Sequence, residues 1–281
     1  ILDTIVQPLK AKIEDIDNDG DSDIILLAED QSLYVYYNDG GLSFSKIVAP
    51  YITPIIGMGT EYYDFDIADI DNDGFKDAVV GGSAVYIFEN DSGIFNVDTS
   101  RTLASVSLDV GLQFLIHLND FDNDGFKDLV LNTNTSTQLK VFKNNGNGYF
   151  DYLSTIDLTA IQLQGLNLQS IDSKDVSGDG NIDIVVSHQL SSGNKLVYYM
   201  NNGNGQFSSQ TIFQANINNQ DICQNILLED INLDGYFDVI WSEKLSYLLN
   251  NAPVGIHEEM ISSNFSIFPN PFSTQAILNS N

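Results

Sequence analysis

One nine-residue acidic segment occurs five times in this chain: DIDNDGDSD at 15–23, DIDNDGFKD at 69–77, DFDNDGFKD at 120–128, DVSGDGNID at 175–183 and DINLDGYFD at 230–238. The starts are 54, 51, 55 and 55 residues apart. A regular period of that size confines the chain to a repeat architecture, in which each unit buries its apolar face against its neighbours.

The residues around each segment follow one order. An apolar stretch leads in, as at 65–68 and 226–228, and a short β-branched or apolar run follows at once, as at 24–27, 78–80, 129–131, 184–186 and 239–241. About ten residues on, a third run alternates with period two, for example Leu33-Tyr34-Val35-Tyr36-Tyr37, and ends in an Asn- and Gly-rich turn. Asn and Gly tolerate the positive φ that tight hairpins need. A fourth run opens at Phe44, Phe95, Phe150 and Phe207. Four short strands per repeat of roughly 50 residues define a propeller blade. The expected fold is therefore all-β, a β-propeller of four-stranded blades with at least five blades. Sandwich domains need about 100 residues each and β-helix rungs are far shorter than this period. Residues 2–7 resemble a fourth strand. They either complete the last blade and close a five-bladed ring or finish a blade of a larger, truncated ring, such as a seven-bladed one. The start at Ile1, without methionine or signal peptide, points to a fragment or a processed chain.

The spacing D-x-[DNS]-x-D-G-x-x-D sets oxygen ligands at positions 1, 3, 5 and 9 of a turning loop, with a position 7 carbonyl able to join them. Alternate positions converge on one point, and Ca²⁺ takes six to eight hard oxygen ligands. The candidate metal residues are Asp15, Asp17, Asp19, Asp21 and Asp23 in the first loop; Asp69, Asp71, Asp73, Phe75 and Asp77 in the second; and Asp120, Asp122, Asp124, Phe126 and Asp128 in the third. Asp175, Ser177, Asp179, Asn181 and Asp183 form the fourth set, and Asp230, Asn232, Asp234, Tyr236 and Asp238 the fifth. Phe75, Phe126 and Tyr236 enter through their carbonyls. An EF-hand is excluded because position 12 is apolar in all five loops (Leu26, Val80, Leu131, Val186, Trp241). Magnesium keeps more of its water and fits less well. Ser177 and Asn232 replace a carboxylate, so the fourth and fifth loops should bind more weakly.

Composition supports cation binding and narrows the partners. With 39 acidic and 11 basic residues the formal charge is −28, which five Ca²⁺ would bring to −18. A chain so acidic repels nucleic acid. Its 13 Tyr and 16 Phe argue against disorder. Cys223 is the single cysteine, read as a buried strand residue. No apolar run reaches the roughly 18 residues of a membrane-spanning helix. His117, placed in a strand, His188, placed just after a strand, and His257, in a linker, show no nucleophile–base pairing, so no catalytic residue is expected.

On its calcium loops and N-N-G-x-G-x-F turns, the chain over 1–251 resembles the FG-GAP/VCBS family, whose repeats also build the propeller of integrin α subunits. The Phe-Gly and Gly-Ala-Pro segments that name the family are degenerate here. The resemblance implies that each acidic loop joins the first two strands of a blade and holds Ca²⁺, about five ions in all. It also implies that an extracellular protein or glycan ligand binds the opposite face. That face would comprise the connections at 49–64, 101–113, 158–173 and 215–224, with 133–138 and 188–195. Tyr51, Tyr62 and Tyr63 suit sugar stacking or protein contact, or else packing between blades. Some polysaccharide lyases share this architecture, which leaves a part of a secreted polysaccharide-degrading enzyme as the alternative. After a linker at 252–264, the segment FSIFPNPF within 265–281 is similar to the opening of the C-terminal sorting domain of the type IX secretion system of Bacteroidetes. That likeness implies a secreted or surface-attached protein handled by the type IX machinery.

Overall fold

The computed structural model describes residues 8–30, 32–41, 43–49, 64–82, 84–103, 115–132, 137–158, 167–190, 193–208, 225–241, 246–248 and 250. Residues 2–7, Cys223, Tyr51, Tyr62, Tyr63, His257, the linker, the segment 265–281 and most of the proposed ligand-face connections lie outside them.

Each repeat becomes one antiparallel sheet of consecutive strands. The first holds β1 (Pro8–Glu14), β2 (Asp23–Ala28), β3 (Leu33–Asn38) and β4 (Phe44–Val48), and the second β5 (Asp64–Ala68), β6 (Asp77–Gly81), β7 (Val85–Asp91) and β8 (Ile94–Leu103). The third contains β9 (Ile116–Asn119), β10 (Asp128–Asn132), β11 (Gln138–Asn144) and β12 (Phe150–Asp157). The fourth contains β13 (Asn167–Lys174), β14 (Asp183–Leu190), β15 (Gly193–Asn201) and β16 (Phe207–Ser208). A fifth sheet has three described strands, β17 (Ile226–Glu229), β18 (Asp238–Trp241) and β19 (Ser246–Leu248). The fold is an all-β propeller with four-stranded antiparallel blades. His188 falls within β14, opposite Leu168 and Lys195, and is buried; the sequence reading placed it after the strand. The strand runs on because Ser187 and His188 continue its pairing on both sides.

Packing is face to face between consecutive sheets, which explains why second strands read as unbroken apolar runs. In β10, Leu129 and Leu131 turn toward Val79, Val85 and Ile87 of the second sheet. Val130, between them, turns toward Ile184 and Val186 of the fourth. Similar clusters join the first sheet to the second and the fourth to the fifth. Among the described residues no such cluster joins the fifth sheet to the first. Ile13 is accordingly 67% exposed, whereas its repeat counterparts Ile67 and Leu118 are each 8% exposed.

The first strands of successive sheets lie beside one another, and side chains take the place of a strand partner. Ile116 N–H and Leu118 N–H of β9 donate to Asp64 Oδ2 (2.8 Å) and Asp66 Oδ2 (2.9 Å) of β5. Ile226 N–H and Leu228 N–H of β17 donate to Ser170 Oγ (3.1 Å) and Asp172 Oδ2 (2.8 Å) of β13. Asp64 and Asp66 are matched by cations from β1: Lys10 pairs with Asp64, and Lys12 lies 2.8 Å from Asp66. His117 stands between Asp66 and Asp172, with Nε2 2.7 Å from Ser173 Oγ.

Candidate metal centres

In each sheet the acidic loop joins the first strand to the second, so the five loops share the end where the third and fourth strands also turn. The loops are built alike. The first Asp accepts the N–H of the glycine at position 6: Gly20 to Asp15 (3.1 Å), Gly74 to Asp69 (3.0 Å), Gly125 to Asp120 (2.9 Å), Gly180 to Asp175 (2.8 Å) and Gly235 to Asp230 (2.9 Å). Those glycines have φ of 89–95°, a left-handed conformation that L side chains avoid. The Asp at position 5 accepts the N–H of position 7 in all five loops, at 2.8–3.0 Å. Buried apolar side chains at position 2, such as Ile16, Ile70 and Phe121, pin the loops to the core.

The Asp at position 9 has two duties. Asp23, Asp77, Asp128, Asp183 and Asp238 are fully buried and accept N–H groups on both oxygens. In the second loop Oδ2 takes Ile70 N–H (3.2 Å) and Oδ1 takes Asn90 N–H (2.7 Å) at the end of the third strand. Burial pushes the Asp77 carboxyl up to about 7, with Asp71 and Asp73 adding to the rise against those hydrogen bonds. Asp128 is pushed up to about 6 by burial, with Asp122 and Asp124 contributing. A bound cation would offset both effects.

Three of the five sets bring carboxylate oxygens to one point, all within 4.8 Å of one another: Asp15 with Asp17 and Asp19; Asp69 with Asp71 and Asp77; and Asp120 with Asp122 and Asp128. Each triad contains one buried oxygen without a hydrogen-bond partner among the described residues: Asp15 Oδ1, Asp71 Oδ1 and Asp122 Oδ1. Burying a carboxylate oxygen unpartnered is costly unless a cation meets it. The donors are all hard oxygens, so the three clusters suit an ion such as Ca²⁺. Two cationic side chains already lean on them: Arg101 Nη1 lies 3.1 Å from Asp71, and Lys143 contacts Asp122 and Asp124. In the fourth and fifth loops the third position is Ser177, whose Oγ is 3.4 Å from Asp175, or Asn232, whose amide donates to Asp234 (2.9 Å). Among the described residues, those loops form no triad of acidic groups.

Position 4 was passed over in the sequence, although it adopts left-handed φ in the first, second, third and fifth loops: Asn18 (61°), Asn72 (65°), Asn123 (60°) and Leu233 (60°). In the fourth loop it is Gly178 (76°). Asn and Gly were the available signal. Leu233 departs from it while 87% exposed, so it bears the left-handed cost of about 1–2 kcal/mol with little packing to offset it. Leu233→Asn should raise the urea midpoint, with a gain of about 1 kcal/mol and an unchanged slope.

The FG-GAP-like repeat family matches residues 15–80, 120–186 and 175–241. No curated protein sequence matches the chain. Among solved structures, the chain is similar to an Agrocybe aegerita lectin described as recognising non-reducing terminal N-acetylglucosamine, with 20% identity and a TM-score of 0.56. The likeness covers 87% of this chain and 63% of the lectin, so the chain spans less than two thirds of the lectin's length. It is also similar to BBS1N, solved in complex with ARL6DN, with 14% identity, a TM-score of 0.52, and coverage of 93% of this chain and 70% of that one. At such identities the likeness is one of fold.

Proposed function

The chain belongs to the FG-GAP-like repeat family, and from that premise we propose that it is a calcium-stapled, ligand-binding propeller of a secreted protein, binding rather than transforming its ligand. The observation that carries this reading is the set of repeated oxygen-lined loops, three of them with an orphaned buried carboxylate oxygen. Calcium holds all five loops at one end of the blades, with the fourth and fifth weakest. The cation end is then structural, and the opposite end, where second strands connect to third and each blade passes to the next, receives a protein or glycan. The ligand of the similar lectin makes glycans ending in N-acetylglucosamine the first probe. Export through type IX machinery, guided by the segment at 265–281, would deliver the chain to a calcium-rich exterior. No helix among the described residues is long and apolar enough to cross a membrane.

The test is a glycan array probed with calcium-loaded and chelated protein, followed by calorimetry on any hit. Saturable retention that requires calcium, with the glycan recovered intact, is the expected result. Shortened polysaccharide would replace this reading with that of a lyase or hydrolase. Equal retention with and without calcium would remove the structural role of the ion.

A further inference from the structure

An asparagine at or just beyond the end of the third strand does more than turn the chain in the second to fifth sheets. Asn90 Nδ2 donates to Ile16 O of the preceding sheet's acidic loop (2.8 Å) and to Lys76 O of its own (3.0 Å). Asn144 bridges Ile70 O (2.7 Å) and Lys127 O (3.1 Å) in the same way, and Asn201 bridges Phe121 O (2.7 Å) and Ile182 O (2.9 Å). Asn250 reaches Val176 O of the fourth loop (2.9 Å). All four side chains are buried. The accepting carbonyls belong to loop positions 2 and 8. Position 2 lies between the ligands at positions 1 and 3, and position 8 immediately precedes the ligand at position 9. Each amide also has its oxygen or backbone tied down: Asn90 Oδ1 accepts Gly93 N–H, and its own N–H donates to Asp77.

We propose that Asn90, Asn144, Asn201 and Asn250 couple neighbouring cation loops, so that calcium fills the loops as a linked series instead of as independent sites. This rests on the calcium reading above. A cation that fixes positions 1 and 3 of one loop, and position 9 as well in the second and third loops, fixes the direction of the carbonyls beside them. The buried amide, which in Asn90, Asn144 and Asn201 donates to both loops at once, then holds the facing carbonyl of the next loop near its bound position. Ordering of the second loop is thereby partly done when the first is filled, and linkage makes the effect reciprocal. The series has a break. Asn38, the first blade's counterpart, is not buried, and among the described residues its amide reaches Ser22 O of its own loop alone, at 3.3 Å. The fifth loop is therefore coupled to the fourth alone, and the first to the second alone.

The test is calcium titration of the chelator-stripped full chain, with the amide signals of Gly74, Gly125 and Gly235 followed by NMR as reporters of the second, third and fifth loops. In the unaltered chain the Gly74 and Gly125 signals should move together, with a Hill coefficient above one. Asn144→Ala should weaken occupancy of both loops by about fivefold or more, lower the steepness of both curves and let the Gly74 and Gly125 midpoints separate, since each loop keeps only its other neighbour, through Asn90 or Asn201; Gly235, two links away, should move least. Asn38→Ala should change nothing at these reporters. Independent, non-cooperative midpoints in the unaltered chain overturn the proposal, as does superposition of the Asn144→Ala curves on it. Should Asn144→Ala fail to fold by circular dichroism, Asn201→Ala makes the same test on Gly125 and Gly180. An unaltered chain that binds no calcium would remove the calcium reading itself, a result distinct from binding without coupling.

Discussion

Stripped of calcium by a chelator, this chain should melt about 10 °C or more below its calcium-loaded form. The estimate starts from weak sites. Extracellular calcium modules have dissociation constants of about 10⁻⁴–10⁻³ M. At 1 mM free calcium and the tighter of these values, a site that exists only in the folded state adds about 1.4 kcal/mol. Three such sites, one per acidic triad, add about 4 kcal/mol, the weaker fourth and fifth loops add less, and each kcal/mol moves the melting temperature by about 2–4 °C in a domain of this size. The repulsion relieved works in the same direction, because the chain carries a formal charge of −28 and the carboxylates of each loop are crowded together. Differential scanning calorimetry in 1 mM calcium against excess chelator reads the shift directly. Magnesium should restore little of it, since the ion keeps its water and the loops offer a flexible oxygen cage. A difference of 2 °C or less would mean that the loops hold themselves together as hydrogen-bonded acidic turns.

The parts of this molecule that repeat were legible in the sequence, and the parts that join the repeats were not. The motif spacing and the runs around it give the strand order of the sheets among the described residues, because period-two apolar patterns and Asn-Gly turns are local signals. Phe44, Phe150 and Phe207 do open the fourth strands as expected, and β8 begins one residue before Phe95. The acidic loops were legible for the same reason, although the split roles of Asp23 and Asp77 were not: Asp77 joins its triad, while Asp23 stands outside the first. What the sequence hid is contact between residues more than 50 apart. Asn90 looks like one more turn residue until Ile16 O is found beside its amide. Asp64 and Asp66 interrupt an apolar strand and read as ordinary alternation. Their meaning comes from the next blade, where the inner edge of β9 has N–H groups that need acceptors. Burial separates these roles and leaves no trace in a local pattern.

Replacing one of those inner carboxylates has a large expected cost. Asp66→Leu should destabilise the folded chain by about 3 kcal/mol at pH 7, at the lower end of the range for breaking a buried ion pair, since Lys12 is about a third exposed and solvent screens part of its charge. The substitution removes the partner of Lys12 and the acceptor of Leu118 N–H in one step. Burial opposes the charge on Asp66, but Lys12, His117 and Lys10 outweigh it and hold its carboxyl below the ordinary carboxylate range. The sign of the pH dependence follows. A carboxyl with a lowered folded value contributes fully above its unfolded value of about 3.9 and loses that contribution as the pH falls through the folded value. The gap between unaltered chain and variant, read from urea midpoints, should persist from pH 7 to 5, where His117 also loses its neighbouring carboxylate in the variant, and narrow in stronger acid. A second substitution separates the two losses. Lys12→Met added to Asp66→Leu removes the stranded ammonium and should recover part of the stability, leaving about 1–3 kcal/mol for the orphaned Leu118 N–H. If the double variant is no more stable than Asp66→Leu alone, the uncompensated charge is not what the carboxylate was there to prevent, and the hydrogen bond between neighbouring blades carries the whole effect.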